Sequence, residues 1–106
     1  MFRTTHNLDF EASYHSLTGC ISFRVGTCYG LYDDSGTSYD IIAIFNRTPG
    51  NGHFEDVLEW FEASCKRDKR NLRIMEFFNQ PFKKHLIEKR GFVPEGENNV
   101  IKYFNI

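Results

Sequence analysis

The feature that most constrains this chain is a nearly continuous apolar run that stops at a glycine-bearing loop and reopens as an amphipathic pattern. Tyr39-Asp40-Ile41-Ile42-Ala43-Ile44-Phe45 is β-branched and reads as a strand buried on both faces, near the middle of a sheet. Arg47-Thr48-Pro49-Gly50-Asn51-Gly52 breaks it. Residues 53–66 then carry Phe54, Val57, Leu58, Phe61 and Cys65 on a period near 3.6, which predicts a helix with Glu55, Asp56, Glu59 and Glu62 on its wet side. Residues 71–78 alternate as the next strand. A strand–helix–strand unit of this kind implies a right-handed crossover between parallel neighbours.

The flanks are simpler. Residues 20–25 and 27–32 alternate with period two on either side of Gly26, and Asp33-Asp34-Ser35-Gly36 is turn chemistry that bends the chain into the central strand. Asn79-Gln80-Pro81 supplies an N-cap and an early proline for a second helix that runs to Arg90, with Gly91 as its left-handed stop. Residues 92–94 and 100–104 form a terminal hairpin across a polar turn. Residues 8–17 fit a short helix and an irregular arm equally. The expected fold is α/β (α+β): a mixed, mostly antiparallel central sheet with one parallel strand–helix–strand unit and two main helices, in a single domain over residues 1–106.

Cys20, Cys28 and Cys65 are irregularly spaced, and the four histidines include no i, i+4 pair, so neither a disulfide framework nor a metal site is expected. The first twenty residues lack the apolar run of a signal peptide, and no later stretch approaches the ~20 apolar residues of a membrane span. These observations lead us to expect a soluble, cytoplasmic protein. The net charge of -1 hides an asymmetry: ten of the 13 Lys and Arg residues follow Glu62, and nine of the 14 acids lie at or before it. The run Lys66-Arg67-Asp68-Lys69-Arg70 reads as a solvated turn. Basic segments at 66–73 and 83–90, near Phe82 and Phe92, raise nucleic-acid binding, which the overall charge disfavours.

The chemistry concentrates at residues 47–52. A strand that ends in a glycine loop opening a helix gathers unpaired N–H groups beside the positive end of the helix dipole, which makes an anion site. Gly50 and Gly52 let the backbone turn sharply and approach a phosphate, and Arg47 adds a charge-assisted bond. Glu55 and Asp56 suit a helix start but repel an anion if they turn inward, so their placement decides. No Lys-Ser or Lys-Thr follows the second glycine, and no third glycine is present, which excludes a P-loop and a full dinucleotide fingerprint.

Arg47-Thr48-Pro49-Gly50-Asn51-Gly52 is similar to the Gln/Arg-x-x-Gly-x-Gly/Ala motif of GNAT acetyltransferases. The stretch from Asn79 to Phe92 resembles that family's second motif, an Asn-led helix that ends in a Gly-Phe pair. The resemblance implies a domain that binds acetyl-CoA as cosubstrate and transfers its acetyl group directly to an amine, an acceptor that could belong to a protein. It implies that the backbone of Ile42, Ala43 and Ile44 bonds the pantetheine amides, while Arg47, Gly50, Asn51, Gly52 and His53 hold the diphosphate. Asn79, or Gln80 beside it, would stand near the acyl end, and Asp40 and Glu76 are the candidate bases. Ile87 occupies the place where many members carry a proton-donating tyrosine, and the first forty residues lack the usual helical pair. Both departures support an alternative, a catalytically inactive GNAT-fold module that binds a protein.

Overall fold

The structure, a computed structural model, describes residues 3–75 and 80–104. Strands β1 (Glu11–Tyr14), β2 (Ile21–Val25), β3 (Cys28–Asp34) and β4 (Ser38–Asn46) follow one another as an antiparallel meander. Helix α1 (His53–Asp68) leads to β5 (Asn71–Ile74), which pairs parallel with β4. Helix α2 (Gln80–Lys89) precedes the hairpin of β6 (Val93–Glu95) and β7 (Asn99–Lys102), and β7 inserts between β5 and β6. The seven strands form one sheet in the order β1-β2-β3-β4-β5-β7-β6, with β4 and β5 as the parallel pair. The mixed α+β architecture with two helices agrees with the sequence pattern.

Both helices lie on the same face of the sheet. Val57, Leu58, Phe61 and Cys65 of α1 are buried against Phe23, Val25, Cys28, Ile41, Leu72 and Ile74 of the strands. Phe61 is the centre of an aromatic cluster, edge-on to Phe10, Phe23 and Tyr32 with ring centroids 5.5, 5.1 and 4.9 Å away. α2 joins through Leu86, which is fully buried, and through Phe82, whose ring meets Phe54 of α1 edge-on. Arg90, just past α2, pairs with Glu62 of α1 at 2.5 Å, and Lys102 of β7 reaches the same carboxylate. The three elements are thereby tied at one point.

Two expectations change, and a third falls partly outside the described residues. The run at 39–45 is not buried on both faces: Ile41 is buried and Phe45 is 59 % exposed. Its continuity has two sources. A register shift opposite Leu31 and Tyr32 inserts Ile42 as an extra residue, and the sheet face that carries Ala43 and Phe45 has no helix on it among the described residues. Residues 8–17 form neither a helix nor a wholly irregular arm, because Glu11–Tyr14 pairs with β2 as an edge strand. The strand expected at 71–78 is described only as far as Ile74, and residues 76–79 lie outside the described residues.

The basic run expected as a turn is instead the last turn of α1, through Asp68, with its C-cap. Lys69 adopts the left-handed conformation at the C-cap, Arg67 pairs with Asp68 at 2.9 Å, and Arg70 reaches Asp34 at 3.0 Å. Among the described residues, no helix is long and apolar enough to cross a membrane.

Candidate functional site

β4 carries two separate hydrogen-bonding edges. The Arg47 N–H donates to the Thr27 carbonyl at 3.0 Å, so the strand's alternation turns the backbone groups of Ala43 and Phe45 toward β3 as well. Those of Ile44 and Asn46 project from the other edge with the Ile42 carbonyl, whereas the Ile42 N–H, opposite in its peptide plane to the Ile41 carbonyl, turns toward β3 at the bulge. Among the described residues, pairing on that edge stops at Ile41↔Ile74 and the bond from Met75 N–H to the Ile41 carbonyl, while β4 continues to Asn46. Among the described residues, Ile44 therefore offers an amide donor and acceptor there, and Ile42 a carbonyl acceptor. Ala43, which the resemblance grouped with them, is engaged with β3.

The same strand runs into the loop. Gly50 has φ 86° and Gly52 has φ 85°, both left-handed, which L side chains adopt at a cost of ~1–2 kcal/mol. A Cβ at Gly50 meets no atom within 4 Å, so the space beside it is open. Asn51 organises the turn: its Oδ1 accepts the His53 N–H at 3.0 Å and its Nδ2 donates to Thr27 Oγ1 at 2.7 Å. His53 is consequently not a free donor, because Asn51 caps it. Asp56 N–H already bonds Gly52 O, which leaves the N–H groups of Gly52, Phe54 and Glu55 as the unfilled donors of the first turn. The Arg47 side chain is exposed at the loop's start.

Thr27 is the residue that sequence reasoning missed. Its N–H donates to His53 Nδ1 at 2.9 Å and its Oγ1 to Asn46 Oδ1 at 2.8 Å, so the β2–β3 turn grips both ends of the loop. With Nδ1 accepting, the His53 proton resides on Nε2. Gly26 permits this packing, since a Cβ there would stand 2.3 Å from His53 Nδ1. No local spacing links residue 27 to 46, 51 and 53.

Both first-turn acids have partners of their own. The Asp56 carboxylate is fully buried and accepts the Thr4 hydroxyl, the His6 N–H at 2.9 Å and the Leu8 N–H at 3.1 Å. Burial works to raise its pKa, but these three donors outweigh burial and hold it below the ordinary aspartate value. Glu55 lies 3.7 Å from Arg90. Arg90 offsets Glu55, whereas Asp56 stays a negative charge held by neutral donors, and the N-terminal arm is bound down in the process. Thr5 adds two bonds to Glu59, and Trp60 Nε1 donates to the Leu8 carbonyl. The His6 ring packs against Gly52, where a Cβ would stand 2.2 Å from its Nε2.

Of the candidate bases, Asp40 is already occupied. Its Oδ1 accepts the Ser38 hydroxyl at 2.6 Å and Arg73 Nη1 at 2.9 Å, while Arg73 forks onto Glu95 at 2.6 and 3.0 Å. Glu76 and Asn79 lie outside the described residues. Ile87 packs partly buried against the core, and His85 is exposed beside Phe82. Burial pushes the Cys28 thiol up to about 11 and the Cys65 thiol up to about 12, so neither supplies a thiolate at neutral pH. Among the described residues, no group of three or more His, Cys, Asp or Glu side chains could hold a metal ion. The chain matches no known family, no curated protein and no solved structure.

Proposed function

We propose that the chain binds an acyl-CoA, with acetyl-CoA the expected cosubstrate, and acts as a GNAT-type N-acetyltransferase that passes the acyl group directly to an amine. One convergence carries this reading. The second edge of β4, with the Ile42 carbonyl and the Ile44 amide groups, leads without interruption into a left-handed glycine loop and the start of α1. An extended arm with amide groups suits the first element, and a diphosphate suits the second. The strand order, with one parallel pair joined by the helix that follows the loop, supports the same reading.

Direct transfer joins the acyl carbon to the amine nitrogen, breaks its bond to sulfur and releases a thiol. The amine must first lose its ammonium proton. The high thiol pKa values of Cys28 and Cys65 argue against a route through an acylated cysteine. The engagement of Asp40 by Arg73 and Ser38 favours the second reading, a module that keeps the fold, binds a protein and does not catalyse.

Incubation with acetyl-CoA and a lysine-bearing peptide, read by mass spectrometry of the peptide and by thiol release, separates the two. Acetylated peptide with matching thiol supports transfer. Ligand binding without either supports the module, and neither binding nor transfer contradicts the acetyl-CoA reading.

A further inference from the structure

The sheet face turned away from both helices has no role in that reading. Strand alternation puts Tyr29 and Leu31 of β3, and Ala43 and Phe45 of β4, on this face. Tyr29 is 37 % exposed, Leu31 38 % and Phe45 59 %. With Arg24 they line a groove of about 500 Å³. An antiparallel sheet with one solvated face ordinarily turns polar residues outward, so an aromatic and aliphatic stripe there marks an interaction surface.

Charge identifies what covers it. Beside the stripe, Asp33 of β3 stands directly opposite Asp40 of β4, and like charges in that relation destabilise a sheet. Arg73 and Ser38 compensate Asp40. Among the described residues, the Asp33 carboxylate has neither a hydrogen bond nor an ion pair. This face carries Glu11, Asp33, Asp40 and Glu95 against Arg24 and Arg73, a net negative balance. Such a balance repels nucleic acid and anionic lipid. A segment that sets apolar side chains beside lysine or arginine matches both the stripe and the unpaired carboxylate.

We infer that this face docks a cationic amphipathic segment of a partner polypeptide, with its apolar side chains on Leu31 and Phe45 and a lysine or arginine over Asp33. The inference is independent of acetyl-CoA binding.

The test is titration of the full chain with a synthetic amphipathic Lys/Leu peptide, followed by amide NMR shifts. A Glu/Leu peptide of the same pattern and a Lys/Leu peptide of scrambled order are the controls. Binding of the patterned Lys/Leu peptide alone is expected, with shifts centred on Leu31, Asp33 and Phe45. Asp33→Asn and Phe45→Ser should each weaken it about fivefold or more, with unfolding midpoints near wild type because both side chains lie at the surface. Absence of binding, equal binding of a control, or unchanged affinity in both variants overturns the inference. Self-association of the protein that Phe45→Ser abolishes also overturns it, and assigns the face to a second copy.

Discussion

The His6 N–H donates to Asp56 Oδ1 at 2.9 Å and joins residues 50 apart in sequence. Through that bond the N-terminal arm becomes part of the helix start. The arm occupies the one buried acid of α1 and rests His6 on Gly52. A helix start that presents donors to an anion keeps its own carboxylate turned aside, and the arm provides the partners that make this stable.

Asp56→Asn is therefore expected to destabilise the fold by about 2 kcal/mol at neutral pH, since a buried charge-assisted set of bonds is lost. The sign of the pH dependence follows from a folded pKa below the unfolded one. The stabilisation is complete above the unfolded value of about 3.9 and is lost as pH falls through the lower folded value. Denaturant unfolding of wild type and variant should show a gap at pH 7 that narrows as pH falls below the unfolded value. A gap of constant size contradicts the assignment.

The two loop glycines should respond differently to alanine. At Gly50 the added Cβ meets nothing within 4 Å, so only the left-handed backbone is penalised, at about 1 kcal/mol. At Gly52 the same strain is joined by collision with the His6 ring. Gly52→Ala should cost more than Gly50→Ala and should speed hydrogen exchange at His6 and Leu8, a change that exchange mass spectrometry can resolve. Equal losses with an undisturbed arm contradict the packing.

Asp40→Asn tests a role and a pairing together. With Arg73 still held by Glu95, the variant is expected to lose about 1 kcal/mol of stability and to keep its affinity for acetyl-CoA. A fall in turnover of about a hundredfold at unchanged stability would make Asp40 the base after all.

Phe61→Ala removes the ring on which Phe10, Phe23 and Tyr32 converge, and should cost about 3–5 kcal/mol. A loss under about 1 kcal/mol in chemical denaturation would mean that the aromatic cluster is not the core.

Much of this arrangement was legible in the sequence where the signal is local. The period of 3.6 gave α1 its buried face, and the turn before β4 forms with Asp34 Oδ1 accepting the Gly36 N–H at 2.9 Å, as its residue types imply. The loop's glycines are left-handed for the reason their position suggests. Other features depend on partners far along the chain. Nothing in residues 4–8 announces Asp56, and nothing at Thr27 announces Asn51. The apolar run of β4 misleads because burial on two faces and a bulge on a one-sided sheet leave the same trace: Ile42 is the extra residue, and Phe45 faces the open side. The N-terminal edge strand is exposed at all four positions, so hydrophobic alternation could not mark it.

The most direct measurement of the central claim is calorimetric titration of the protein with acetyl-CoA, with adenosine diphosphate as the control for simple phosphate binding. Dissociation in the micromolar range, about -8 kcal/mol, that the diphosphate alone does not reproduce is the expected result. No heat of binding at millimolar acetyl-CoA would contradict the claim, and would leave the β4 edge and the glycine loop as architecture alone.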